Sequence, residues 1–128
     1  MHIVFGGIFN GKRKYVKEHF LPTLVVDNNL ARATAQQQTL SIENFWHLID
    51  PYIAEDEVTA SEKVMTEIRR LALHNKVICV CDDVSRGVVP MDAVERKKRD
   101  ILGRLYQQLF SEATTITRIW YGLPEKMK

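Results

Sequence analysis

The residues with the clearest chemical potential stand at the start of the chain. Gly6-Gly7-Ile8-Phe9-Asn10-Gly11-Lys12 fits the pattern G-x-x-x-x-G-K. Glycines at both ends let backbone N–H groups curl around an anion, and a helix beginning at the loop adds a positive field. The side chain of Lys12 would reach the outer phosphates as a point charge. The competing reading is a glycine-rich turn that carries a surface lysine. In a complete loop of this kind the next residue is Ser or Thr, whose hydroxyl ligates the nucleotide's Mg²⁺. Here it is Arg13, followed by Lys14. Arginine has no acceptor atom and cannot ligate a cation. Phosphate binding by Gly6 to Arg13 is therefore expected, with Lys12 in a catalytic role and with poor provision for Mg²⁺.

Three further groups could carry chemistry. Asp82-Asp83 closes an apolar run, as the acid of a nucleotide site does, and Asp83 is the candidate catalytic carboxylate; an ordinary acidic strand end is an equal alternative. Arg96, Arg99, Asp100 and Arg104 fall at helical spacings of i, i+3 and i, i+4 and could line a second, polyphosphate or subunit cleft. A solvated helix face is the alternative, and it is preferred for Lys97 and Lys98. Cys79 and Cys81 alternate within Val77-Ile78-Cys79-Val80-Cys81. A lone C-x-C lacks the spacing of a zinc site, so both read as small core hydrophobes and no metal ligands are assigned.

The elements that must hold these residues alternate between strand and helix. His2 to Phe5 reads as a buried strand and Gly11 to Phe20 as a helix ending near Pro22. Thr23 to Val26 is a short strand. Residues 27 to 40 read as loop, with a possible helical piece from Leu30 to Gln38. Ser41 is an N-cap candidate for an amphipathic helix carrying Ile42, Phe45, Trp46 and Ile49. Val58 to Leu73 is a helix, Lys76 to Cys81 the clearest strand, and Asp92 to Phe110 a long helix with an apolar stripe. Ile116 to Tyr121 is the last strand, before a Gly122-Leu123-Pro124 turn and a basic tail. The pattern predicts an α/β fold, a P-loop NTPase-like three-layer sandwich on a mainly parallel sheet of reduced strand number. With 128 residues the chain is read as one domain, 1–128.

Composition narrows the function classes. A hydrophobic fraction of 45% supports a full core, and a net charge of +2 with interspersed signs argues against a dedicated nucleic-acid binder. No apolar run approaches the ~20 residues of a membrane helix. Met1 to Phe5 runs straight into glycines and does not look like a signal peptide, so a cytoplasmic protein is expected.

Later motifs add a resemblance. Val84-Ser85-Arg86-Gly87-Val88-Val89-Pro90 is followed by Arg96, Arg99-Asp100, Gly103-Arg104 and Gln107, and the chain closes with Gly122-Leu123-Pro124-Glu125-Lys126-Met127-Lys128. Together with the N-terminal loop, this resembles the bifunctional adenosylcobinamide kinase / adenosylcobinamide-phosphate guanylyltransferase family of cobalamin biosynthesis. That family shows GG-x-x-x-GKS at its N-terminus, then N-E-V-G-x-G-[IV]-V-P, R-x-x-R-D-x-x-G-x-x-N-Q and a closing G-[IL]-P-x-K-[ILM]-K. The resemblance covers residues 1 to 20 and 76 to 128. It implies ATP or GTP as the bound nucleotide, a cobinamide-type substrate, and self-association into a homo-oligomer.

The departures from the family pattern are specific. Arg13 replaces the loop hydroxyl, Asp82-Asp83 replaces N-E, Ser85 replaces a glycine and Tyr106 the late Asn. Residues 27 to 40 contain no His to serve as the guanylyl acceptor, and His47 lies in another segment. No acid-ended strand is legible between Ile53 and Val58. The resemblance implies nucleotide binding, kinase chemistry and guanylyl transfer; these departures weaken the kinase expectation and count against guanylyl transfer by the family mechanism. The alternative is a catalytically inactive relative acting as a binding, regulatory or structural oligomeric subunit.

Overall fold

A computed structural model describes residues 1–7, 11–20, 23–83 and 92–128. Ile8, Phe9 and Asn10 of the glycine loop, Pro22 and the Val84-to-Pro90 motif lie outside the described residues.

Six strands form one sheet in the order β2-β3-β4-β1-β5-β6. They are β1 (His2–Gly6), β2 (Leu24–Val26), β3 (Thr39–Ile42), β4 (Lys76–Asp82), β5 (Thr115–Trp120) and β6 (Leu123–Lys126). The β2-β3, β3-β4, β4-β1 and β1-β5 pairs are parallel, and only β5-β6 is antiparallel. The helices are α1 (Lys12–His19), α2 (Phe45–Leu48), α3 (Glu57–Ala72) and α4 (Ala93–Glu112).

The near-continuous apolar run of β4 follows from its position. Its five residues from Val77 to Cys81 are buried between two parallel neighbours, and such strands lose the in-out alternation of a half-exposed sheet. Alternate side chains feed two cores. Val4, Ile78, Val80 and Ile119 pack with Val16 of α1 on one face. Ile3, Cys79, Cys81, Leu40 and Ile42 pack with α2, α3 and α4 on the other. This is the three-layer α/β arrangement the strand-helix alternation predicts.

Both long helices start at an aspartate cap. Asp56 accepts from the Thr59 N–H at 2.9 Å, and Asp92 from the Glu95 N–H at 2.7 Å. The caps hold α3 and α4 at fixed starting points, and the Arg69–Glu112 pair at 3.0 Å ties the two helices together at their far ends.

Residues 30 to 38 form turns and irregular chain and not the helical piece expected there, and two further segments differ from the sequence reading. Thr39–Ile42 is a strand, inserted between β2 and β4, and not the lead-in to a helix capped by Ser41. Leu40, Ser41 and Ile42 are fully buried there, so burial between two parallel partners outweighs the capping preference of Ser. Helix α2 is correspondingly only Phe45–Leu48, and its cap is Asn44 at φ 60°. A strand followed by an acid therefore exists, as β3 and Glu43, well before the Ile53–Val58 interval. At the other end, the Gly122-Leu123-Pro124 turn is shorter than expected. Tyr121 and Gly122, both with positive φ, make a two-residue turn, and Leu123–Lys126 returns as β6.

Candidate functional site

The loop after β1 begins where the sheet is tightest. Gly6 pairs with Asp82 on one side and Ile119 on the other. A Cβ at Gly6 would sit 2.5 Å from the Ile119 carbonyl oxygen, so no other residue fits without parting β1 from β5. Gly11 re-enters the described chain at φ 86°, a conformation glycine adopts without steric cost, and caps α1. Strand, glycine loop and helix thus follow one another in the order a phosphate cradle needs.

Lys12, the first residue of α1, is buried to 6% exposure. Its ammonium donates to the Gly7 carbonyl at 2.5 Å and pairs with Asp82 Oδ1 at 2.8 Å. Asp82 is the last residue of β4 and half-exposed. Of the two adjacent acids, Asp82 is thus the one paired with Lys12. The backbone N–H of Asp83 donates to the Gly6 carbonyl at 2.9 Å and ties the ends of β1 and β4 together.

A second ion pair flanks the first. Arg13 Nε lies 2.7 Å from Glu43 Oε1, and the Ser41 hydroxyl donates to Glu43 Oε2 at 2.7 Å. Glu43 is nearly buried, whereas Arg13 is largely exposed. Ser41 and Glu43 were missed as site residues by sequence reading. The available signal was a short β-type run, Thr39-Leu40-Ser41-Ile42, ending in an acid; at four residues it was too short to separate from loop.

These groups surround one cleft of about 530 Å³, lined by Gly11, Lys12, Arg13, Lys14, Glu43, Asn44, Val80 and Asp82. It opens beyond the carboxyl ends of β3, β4 and β1, where ligands of open α/β sheets bind. Its floor carries two carboxylates and its α1 wall three consecutive cations.

The second predicted cluster stands elsewhere. Arg96, Asp100 and Arg104 are exposed on α4, Arg99 is partly exposed, and none lines the cleft. Arg104 and Asp100 lie 3.6 Å apart at i, i+4, on the solvated side. The buried α4 cation is Lys98, not solvated as its sequence context predicts. Its ammonium pairs with Asp50 Oδ1 at 2.7 Å and sits 4.5 Å above the Trp46 ring.

Provision for a divalent cation is poor on geometric grounds. Glu43 has both oxygens engaged and Asp82 has one, and the residue after Lys12 offers no acceptor. Among the described residues no group of three or more His, Cys, Asp or Glu could hold a metal ion. The described residues do not fit the Mg²⁺ site of a complete loop of this type. Also among the described residues, no helix is long and apolar enough to cross a membrane.

Parallel sheet, flanking helices and a glycine loop leading into α1 define a P-loop-like α/β sandwich. More narrowly, the chain belongs to the cobinamide kinase / cobinamide phosphate guanyltransferase family, whose family model matches residues 12–127. This is a nucleotide-binding transferase family of cobalamin biosynthesis. No curated protein matches the chain.

Proposed function

We propose that this protein binds ATP or GTP by its phosphates at Gly6 to Arg13 and acts as a kinase on a cobinamide-type substrate, without guanylyl transfer. The observation that carries this is the placement of Lys12. Its ammonium is held at the head of the cleft by a loop carbonyl and one carboxylate oxygen, both exchangeable for a phosphate oxygen. Phosphoryl transfer needs positioning and charge stabilisation more than covalent help from the protein, and Lys12 with the α1 N-terminus supplies both. The guanylyl branch is left out because the segment expected to carry the acceptor histidine, residues 27 to 40, has none. Exposed Leu24 and Val25 on the edge strand β2 support self-association, and a cytoplasmic setting suits a soluble substrate of this kind.

A second reading has its own observation. The Arg13–Glu43 pair stands where a complete loop carries its metal-binding hydroxyl, which favours a family relative that binds nucleotide without turning it over. Titration calorimetry with ATP and GTP, followed by transfer of labelled γ-phosphate to adenosylcobinamide, separates the two. Binding with transfer supports the kinase, binding without transfer supports the second reading, and absence of any binding removes both.

A further inference from the structure

The three cations at the start of α1 sit where a helix tolerates them least. The N-terminal turn carries partial positive charge and favours acids, yet this first turn has Lys12, Arg13 and Lys14 and no acid. A local rule broken at the mouth of a cleft marks a functional constraint. Lys12 is accounted for by the loop and Asp82. Arg13 needs a different account, because its side chain is neither buried nor loose.

Its geometry is that of a mounted guanidinium. Nε is pinned to Glu43 Oε1, and Glu43 is itself fixed by Ser41 and by burial. Among the described residues, that is the only polar partner the structure gives the Arg13 side chain. Arg13 lines the cleft, and its side chain remains largely exposed there. A guanidinium held by one edge presents the other as a fork, the shape that binds two phosphate oxygens at once.

We propose that Arg13, mounted on Glu43 and Ser41, is the built-in cation of this cleft and takes over the charge-neutralising part of the divalent metal. The inference rests on the phosphate-site reading of the loop and adds a property to it. The preferred ligand is the metal-free polyphosphate anion. Mg²⁺ competes with the site by masking the same phosphate oxygens. Glu43 is a positioning residue: it touches Arg13 and not the phosphate.

The test is calorimetric, on the full chain, with inorganic tripolyphosphate and ATP, each in EDTA and in excess Mg²⁺. Wild type should bind both at least as tightly in EDTA as in Mg²⁺. Arg13→Ser should bind about tenfold more weakly in EDTA, the loss of one charge-assisted fork, and should regain affinity when Mg²⁺ is added. Arg13→Lys should fall between, since a point charge cannot fork. Glu43→Gln should weaken binding less than Arg13→Ser and still gain nothing from Mg²⁺, whereas a merely structural Glu43 would lower stability and leave the affinity of the folded chain unchanged. Wild-type binding strengthened tenfold by Mg²⁺, or Arg13→Ser binding in EDTA as tightly as wild type, would overturn the proposal. Failure of wild type to bind either anion under any condition would instead overturn the phosphate-site reading beneath it.

Discussion

The α1 start and the α4 face carry similar numbers of charges and use them differently. At α1, Lys12 and Arg13 each meet a carboxylate that a different strand delivers: Asp82 from the end of β4 and Glu43 from the end of β3. On α4, Arg104 meets Asp100 from its own helix, one turn away. Pairs supplied from different strands converge because the parallel sheet aligns its carboxyl ends. Pairs supplied by one helix form on any solvated face and require no site. Chain-local spacing therefore says little about function, whereas convergence across strands says much.

The contrast can be broken most sharply at Lys12. Lys12→Met should lower tripolyphosphate affinity about a hundredfold, the upper end for a lost charge-assisted contact, while Arg96→Ala should change it less than about twofold. Equal losses at the two positions would place Arg96 in the same site and erase the difference between the regions.

Next in size is the strand junction beneath the loop. Gly6→Ala puts a methyl against the Ile119 carbonyl and should cost about 1–3 kcal/mol of stability in urea denaturation. A cost near zero would mean that β1 and β5 part freely there.

Within α4 itself the comparison repeats on a smaller scale. Lys98→Met removes a nearly buried ammonium from Asp50 and Trp46, but Asp50 is half-exposed and water recovers part of the loss. The expected destabilisation is about 1–2 kcal/mol, against less than about 0.5 kcal/mol for Arg104→Ala. The reverse order would show that the solvated pair, not the covered one, fastens α4.

The smallest effect is in pH. Burial, then the nearby N-terminal ammonium and Lys76, lower the His2 pKa below its ordinary value of 6.5. As pH falls through that value the unfolded chain takes up a proton that the folded chain refuses. Stability should fall with decreasing pH in this window and level off below the folded pKa. His2→Gln should flatten that part of the urea-midpoint profile between about pH 5 and about pH 8. An unchanged slope would assign it to other groups.

Much of this was legible in advance. The first strand, both long helices and the two-cysteine strand all carry local signals that tertiary structure then obeys. β3 was not legible because its four residues owe their conformation to partners on both sides, and Ser41 reads as a cap when those partners are unseen. Glu43 was hidden for the same reason. Lys98 looked like any solvated lysine, since neither Asp50 nor Trp46 is near it in sequence. Asp82 and Asp83 were indistinguishable by type; which one meets Lys12 depends on where β4 stops, a boundary no residue type announces.

The buried thiols of β4 have a kinetic use. Cys79 and Cys81 are fully enclosed, and burial pushes the Cys79 thiol up to about 12 and raises Cys81 as well. Only the thiolate reacts with a disulfide reagent, and neither sulfur meets solvent while the sheet is closed. Labelling must wait for β4 to come out of the middle of the sheet. The rate at which these two sulfurs are trapped therefore counts large-scale openings of the molecule, and ignores the smaller motions at the cleft only a strand's end away.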